Sequence, residues 1–236
     1  MSRIAGIDGC KGGWVVALRE VGSDAIEIRV VEAIHEVLRW REQPGVIGID
    51  IPIGLLDAAV AGGRACDQAA RALLGQPRGC SVFSPPVRPT LRASSFEEAL
   101  RLNRASSTHA LGISRQSFGI LRKIREVDDM MLPSLQDRVF EVHPEVSLSA
   151  LHGSPMKESK KSKPGRSARI HALERAWRCK LGEIIETRRC STVARDDIVD
   201  AMAACWTAER VHAGTETRLP AEPPRDSKGL RMEIVR

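Results

Sequence analysis

The sequence contains no tyrosine and few other aromatic residues, with four phenylalanines and four tryptophans among its 236 residues. Proteins that bind single-stranded nucleic acid over a broad surface stack successive bases on aromatic side chains. A composition with only 3% aromatic residues argues against such a stacking platform. If nucleic acid binds to this chain, we expect backbone charge and metal ions to provide most of the interaction.

Long apolar runs and a signal-like leader are also missing. The longest apolar stretch, residues 45–61, is interrupted by Asp50, Pro52 and Asp57, so it does not predict a membrane span. The first residues, MSRIAGIDG, lack the charged-then-apolar profile of a signal peptide. The six cysteines form no CxxC pair, which disfavours a zinc ribbon, and we expect them to be reduced thiols. We therefore predict a cytoplasmic protein that does not bind a membrane.

The chain carries 36 basic and 30 acidic residues, which gives a formal net charge of +6. A positive excess suits a polyanionic partner, and nucleic acid, either DNA or RNA, is the partner that we predict. An ordinary basic surface would have the same composition, so the charge alone does not decide between the two interpretations.

Apolar periodicity predicts an α/β fold. Strand patterns occupy residues 3–9, 13–20, 25–31, 46–50 and 138–142. Helical spacing occurs at residues 32–42, 64–74, 95–103, 115–132, 169–186 and 195–211. Irregular loops are predicted at residues 75–93, which are rich in proline, and at residues 157–169, which are basic and predicted to be mobile. An antiparallel meander followed by parallel strands and helices predicts a mixed sheet in a single domain, residues 1–236, with a helical and loop insertion at about 58–135.

Two aspartates, Asp8 and Asp50, each end an apolar strand of this predicted sheet. An isolated carboxylate in an apolar strand is costly to bury unless it is paired, hydrogen-bonded or bound to a cation. Ligand sites in α/β sheets lie at the carboxyl ends of strands. We therefore predict that Asp8 and Asp50 share one site.

Two further acids, Asp197 and Asp200, are three residues apart and share a face of the last predicted helix. Ordinary N-terminal helix chemistry explains Asp197 well and Asp200, one turn further in, less well. Together with Asp8 and Asp50 they offer hard oxygen ligands of the kind that Mg²⁺ or Mn²⁺ prefers. Two such ions can hold the attacking and leaving oxygens of a phosphodiester displacement.

Glu141 and His143 project to one face if residues 138–142 form a strand. Glu141 is then a candidate additional ligand or base, and His143 is a candidate to orient water or to contact a phosphate. Glu145 follows Pro144, which suits the first turn of a helix, so we interpret Glu145 as a helix-terminal acid.

Several basic residues are candidates for substrate binding. Arg64 and Arg71 lie on one predicted helix face, where they either form a surface ion-pair ladder or grip phosphate. Lys160 and Lys161 belong to the basic loop, which is either simply solvated or closes over a polyanion. Lys11 lies in a glycine-rich turn that either cradles phosphate or is a tight hairpin, and this turn lacks the P-loop pattern.

The motifs of the chain resemble those of the DUF429 family, whose members are described as predicted nucleases with a ribonuclease H-like fold. The segments that carry the resemblance are GIDGCKGGWVV, IGIDIPIGL, RACDQAARALLG, SVFSPP, EVHPE and DDIVDAMAACWTAER. The resemblance implies a ribonuclease H-like mixed sheet flanked by helices. It also implies that Asp8 corresponds to the first-strand metal aspartate, Asp50 to the second acidic ligand, and Asp200 with Asp197 to the acidic pair of the last helix.

From the residues and the resemblance we predict a metal-dependent, two-metal-ion nuclease that uses Mg²⁺ or Mn²⁺. Its catalytic carboxylates would be Asp8, Asp50, Glu141, Asp197 and Asp200. One alternative is a nucleotide-dependent phosphotransferase of the related actin and sugar-kinase architecture, which the GCKGG turn suggests. Another is a non-enzymatic module that binds a polyanion through the basic loop.

Overall fold

A five-stranded sheet lies at the centre of the computed structural model, which describes residues 2–236. The strands are β1 (Arg3–Cys10), β2 (Gly13–Glu20), β3 (Ile26–Val31), β4 (Val46–Ile49) and β5 (Val139–Glu141). Their order across the sheet is β3-β2-β1-β4-β5. The first three strands are antiparallel neighbours, whereas β4 runs parallel to β1 and β5 parallel to β4. This is the ribonuclease H-like topology that the sequence predicts. The predicted domain begins at residue 1, and that residue lies outside the described residues.

Helices flank the sheet. They are α1 (Ala65–Leu74), α2 (Phe96–Ala105), α3 (Arg115–Gly119), α4 (Leu121–Met130), α5 (Pro144–His152), α6 (Lys163–Trp177), α7 (Gly182–Arg188) and α8 (Arg195–His212). Short 3₁₀ helices occupy Ile34–Arg39, Arg78–Ser81, Arg88–Arg92 and Pro133–Asp137, and the strands β6 (Arg218–Leu219) and β7 (Ile234–Val235) pair near the C-terminus. No helix in residues 2–236 combines the length and the apolar character needed to cross a membrane.

Part of the loop predicted at residues 157–169 is helical. Helix α6 begins at Lys163 because the Ser162 side chain accepts a hydrogen bond from the backbone N–H of Gly165 at 3.1 Å. Pro164 in the first turn lacks an N–H that would otherwise need a partner. The prediction of a loop was therefore wrong from residue 163 onward, since capping outweighs the low hydrophobicity of this stretch.

Three predicted helices differ from the observed ones. The segment 115–132 is split at Ile120, whose backbone angles of φ −103° and ψ 5° lie outside the α-helical region. The segment 169–186 is interrupted after Trp177, because Arg178 adopts the left-handed conformation at φ 53°. The segment 32–42 contains only the short 3₁₀ helix Ile34–Arg39. In each of the three segments the apolar residues recur at helical spacing, but local backbone geometry ended the helix.

The two faces of the sheet bury different partners, because side chains alternate along a strand. Ala5 and Ile7 of β1 pack in the hydrophobic cluster that includes residues of α2 and α4. Ile4 and Cys10 pack in a second cluster that contains residues of α5, α6, α7 and α8. By the same alternation Asp8 belongs to the face that α8 covers.

Helix α8 lies very close to β1 and β4 because the strands present glycines to it. A Cβ atom added to Gly6 would lie 1.9 Å from the backbone nitrogen of Cys205 and 2.1 Å from the carbonyl oxygen of Ala201. A Cβ atom added to Gly48 would lie 2.6 Å from the carbonyl oxygen of Ala204. Only glycine at these strand positions allows the backbones to approach this closely.

The two edges of the sheet are protected differently. On the side of β5, Val142 forms a parallel bridge with Val235 of β7, so the C-terminal segment covers this edge. On the other side, β3 has no further strand beside it in residues 2–236. Strand β3 carries a Glu27–Arg29 ion pair with a 2.7 Å contact, and its Val30 side chain is exposed.

We expect Gly6→Ala to destabilise the protein by more than about 4 kcal/mol, because the new methyl group would overlap the α8 backbone rather than a movable side chain. Urea unfolding followed by circular dichroism measures this loss. The matched control is Gly182→Ala in α7, where an added Cβ atom has no neighbour within 4 Å. A Gly6→Ala protein as stable as this control would show that the close approach of α8 is not required.

Candidate metal centre

Three aspartates from three different elements meet at one end of the sheet. Asp8 lies in β1, Asp50 directly follows β4, and Asp200 lies in α8. One carboxylate oxygen of each residue lies within 4.8 Å of those of the other two. The backbone N–H of Asp50 donates to the carbonyl oxygen of Ile7 at 2.8 Å, which fixes Asp50 beside β1. The predicted convergence of these three acidic residues is therefore observed.

The charges of this triad, Asp8, Asp50 and Asp200, are poorly compensated. Burial, followed by repulsion from Asp50 and Asp200, raises the pKa of Asp8 well above its ordinary value. Burial and repulsion from Asp200 likewise raise the pKa of Asp50. Burial also raises the pKa of Asp200, although Lys160 partly offsets that effect. Hard oxygen donors that repel one another in a partly desolvated site fit a divalent cation, which would reverse the sign of the local interaction.

Lys160 lies directly beside the triad. Its Nζ atom is 2.5 Å from Oδ2 of Asp200. Burial lowers the pKa of Lys160, but the charge and hydrogen bond of Asp200, together with the charges of Asp50 and Asp8, raise it above the ordinary value. Lys161 lines the same cavity with an exposed side chain. The basic segment before α6 therefore reaches the acidic cluster.

Glu141 does not join the triad. It pairs in register with Ile49, whose side chain belongs to the sheet face opposite α8. Its carboxylate instead forms two hydrogen bonds with Arg64, at 2.6 and 2.7 Å, and accepts the backbone N–H of Ile53 at 2.6 Å. The alternation of side chains along β5 thus explains why this carboxylate is placed in a buried ion pair.

Asp197 and Glu145 have structural partners as well. The Asp197 carboxylate accepts the backbone N–H of Ala194 at 2.9 Å, as expected for an acid in the first turn of a helix. Burial raises the pKa of Asp197. Glu145 lies in the first turn of α5 and forms a buried ion pair with Arg169 at 2.6 Å.

Three of the basic residues predicted to bind substrate are engaged or distant. Every guanidinium nitrogen of Arg64 is hydrogen-bonded to acidic side chains or to backbone carbonyl groups. Arg71 donates to the carbonyl oxygen of Val82 at 2.9 Å. Lys11 is exposed in the β1–β2 turn and is not among the residues that line the cavity beside the triad. The phosphate contacts predicted for Arg64, Arg71 and Lys11 remain predictions. Contacts made by Arg64 or Arg71 would require existing hydrogen bonds to break.

The triad opens into a cavity of about 490 Å³. The lining residues that were not singled out from the sequence include Arg78, Phe83, Gln116 and Lys123. Arg78 and Phe83 belong to the proline-rich segment 75–93, in which no periodicity indicates which side chains point inward. Lys123 lies on α4, and its charge lies 4.3 Å from the ring centre of Trp14. Only the tertiary fold brings these groups to the acidic cluster.

His143 also lines this cavity, and its ring is oriented by the loop that contains Ser81. The Nε2 atom lies 3.4 Å from the carbonyl oxygen of Ser81. Because a carbonyl oxygen only accepts hydrogen bonds, Nε2 carries the hydrogen, and Nδ1 is left as a lone-pair acceptor. Nδ1 has no hydrogen-bond partner among the described residues. Burial lowers the pKa of His143, which favours this neutral form.

Residues 6–225 match a family described as "Protein of unknown function (DUF429)". The chain belongs to the DUF429 family. The search of the curated proteins and the search of the solved structures found no match to this chain. The family resemblance inferred from the sequence is therefore confirmed, and the family description itself assigns no activity to this DUF429 protein.

The raised pKa values of the triad predict how the stability of this DUF429 protein depends on pH. Above the ordinary aspartate pKa, the triad binds more protons in the folded state than in the unfolded state, so its contribution to stability in chelator should fall as pH rises. Asp50→Asn removes one of the repelling charges. It should raise the melting temperature at pH 8 by roughly 2–4 °C for each kcal/mol of relieved repulsion, and should weaken the pH dependence.

Differential scanning calorimetry in EDTA between pH 5.5 and pH 8 measures both effects. The exposed Asp24 gives a matched control, Asp24→Asn, which should leave the pH dependence unchanged. A lower melting temperature for Asp50→Asn than for the native protein at pH 8 would contradict this account of the electrostatics.

Proposed function

We propose that this protein is a divalent-metal-dependent nuclease that hydrolyses phosphodiester bonds in nucleic acid. The observation that supports the proposal is the close grouping of the Asp8, Asp50 and Asp200 carboxylates beside a cavity on a ribonuclease H-like sheet. Oxygen ligands of this kind suit Mg²⁺ or Mn²⁺ better than softer metals. The formal net charge of +6 agrees with a polyanionic substrate.

The triad residues would hold the cation from two strands and one helix, so their relative positions are set by the sheet and by α8. When bound, a divalent cation supplies a polarised phosphoryl oxygen and a water molecule of lowered pKa. Apolar residues of the cavity wall, among them Ile51 and Ile120, limit the access of bulk water to the reacting group. Rigid elements on either side keep the carboxylates in place during the reaction.

Three neighbouring residues complete the proposed machinery. His143 lines the cavity, and its buried Nδ1 atom, which has no partner among the described residues, would accept a hydrogen bond from a bound molecule. The ammonium group of Lys160 balances the charge of Asp200 and would attract a phosphate oxygen. Lys161, at the exposed rim, would contact the nucleic acid backbone.

We propose one bound ion per chain rather than the two expected from the sequence. Glu141 and Asp197, which a second ion would need as ligands, are hydrogen-bonded to Arg64 and to the backbone of Ala194. Lys160 already places a positive charge against Asp200. A second ion would therefore have to displace the existing hydrogen bonds of Glu141 and Asp197.

Titration calorimetry with Mn²⁺ tests the number of ions. We expect one binding site per chain, and we expect Asp50→Asn to abolish the binding because the triad loses a charged ligand. The exposed Asp24→Asn variant should bind like the native protein. Two sites of comparable affinity in the native protein would overturn the single-ion version.

The activity is tested with a panel of labelled substrates that contains single-stranded DNA, RNA, duplex DNA, an RNA–DNA hybrid and a branched junction. We expect cleavage of at least one of them in Mg²⁺ or Mn²⁺ and none in EDTA. Asp200→Asn should lower the rate by more than about 100-fold, since even outer-shell changes at metal sites cost 10–100-fold.

Asp196→Asn is the matched control for this variant, because it makes the same charge change on the same helix outside the triad. It should retain most of the activity. Absence of cleavage across the whole panel, or an Asp200→Asn protein as active as the control, would refute the proposal.

A further inference from the structure

Arg78 is a cationic residue of the cavity wall whose side chain has no hydrogen-bond or ion-pair partner among residues 2–236. It lies in the 3₁₀ helix Arg78–Ser81 and is partly buried. Its Nε atom is buried without a hydrogen-bond partner, and its guanidinium group forms no ion pair with any residue of the range 2–236. An unsatisfied buried donor costs stability, and an acceptor on a bound molecule would remove that cost.

The other cationic residues of the cavity are placed differently. Arg64 is fully hydrogen-bonded to its own protein. Lys160 is paired with Asp200. Lys123 donates a hydrogen bond to the carbonyl oxygen of Gly13. Lys161 is exposed at the rim. Arg78 is therefore the arginine of the cavity wall that retains its donors for a bound molecule.

The segment that carries Arg78 is held in place by several hydrogen bonds. The Ser81 hydroxyl donates to the carbonyl oxygen of Arg78 at 2.8 Å. The backbone N–H of Gly79 donates to the carbonyl oxygen of Gly75 at 2.6 Å. The carbonyl oxygen of Ser81 in turn faces Nε2 of His143 at 3.4 Å. These contacts connect the Arg78 segment to His143, the residue that precedes α5, so the guanidinium group projects from a positioned support.

We propose that Arg78 anchors a phosphate group of the substrate at a place in the cavity separate from the three aspartates. A guanidinium group offers parallel N–H donors that match the oxygens of a phosphate. The inference rests on the proposed function: a nucleic acid strand with one phosphate at the triad carries neighbouring phosphates on the same strand. The site thereby favours substrates with two or more phosphates over a small ester with one.

The anchor is tested without any metal, with inorganic phosphate as the probe. In EDTA the protein should bind phosphate saturably in titration calorimetry, and one arginine Nε–H resonance should shift in a ¹H–¹⁵N spectrum. Arg78→Gln should weaken binding about tenfold or more and remove that resonance, whereas Arg78→Lys should give an intermediate affinity. Arg101→Gln, which removes an exposed arginine of α2 outside this cavity, is the matched control and should bind phosphate normally.

The two proposals fail in distinguishable ways, because the phosphate titration needs neither metal nor cleavage. No saturable binding by the native protein, or equal binding by Arg78→Gln, would overturn the anchor whatever the outcome of the cleavage assays. Phosphate binding through Arg78 in a protein that cleaves no substrate would support the anchor and refute the nuclease. In an active preparation, we expect Arg78→Gln to raise KM about tenfold with a smaller change in kcat.

Discussion

The close packing of α8 against the glycines of β1 and β4 is the constraint on which the candidate site depends. Gly6 and Gly48 leave no room for a side chain between sheet and helix. The helix is therefore fixed in both distance and rotation at the level of Ala201, and Asp200 is delivered beside the carboxyl ends of the two strands. The position of a charged residue is thus decided by residues that carry no functional group.

The buried acidic residues of this chain fall into two kinds. Glu141 and Glu145 are each matched by a buried arginine, and such pairs hold neighbouring elements together without leaving spare charge. Asp8 and Asp50 have no arginine partner among residues 2–236, and the charged group that lowers their pKa values most is the ammonium group of Lys160. The distinction between paired and uncompensated carboxylates, rather than the number of acids, identifies where a cation would be stabilised.

Much of the architecture was predictable from the sequence, because alternation and short links defined the strands, and Asp8 and Asp50 follow from their place at strand ends. Helix ends and the role of Glu141 were not predictable, since they depend on capping, on a left-handed residue and on which face of β5 meets Arg64. Arg78 escaped detection because irregular segments have no period that tells inward from outward side chains.

The outer strand β3 has a consequence for how the protein behaves at high concentration. An unpaired strand edge offers backbone groups to which another chain can add, and this is a common origin of aggregation. Here the edge strand is six residues long and carries the charged pair of Glu27 and Arg29, so a second copy that docked there would have to desolvate both charges. Replacing these two residues with apolar ones would remove that protection and leave a short, aggregation-prone edge strand beside the exposed Val30.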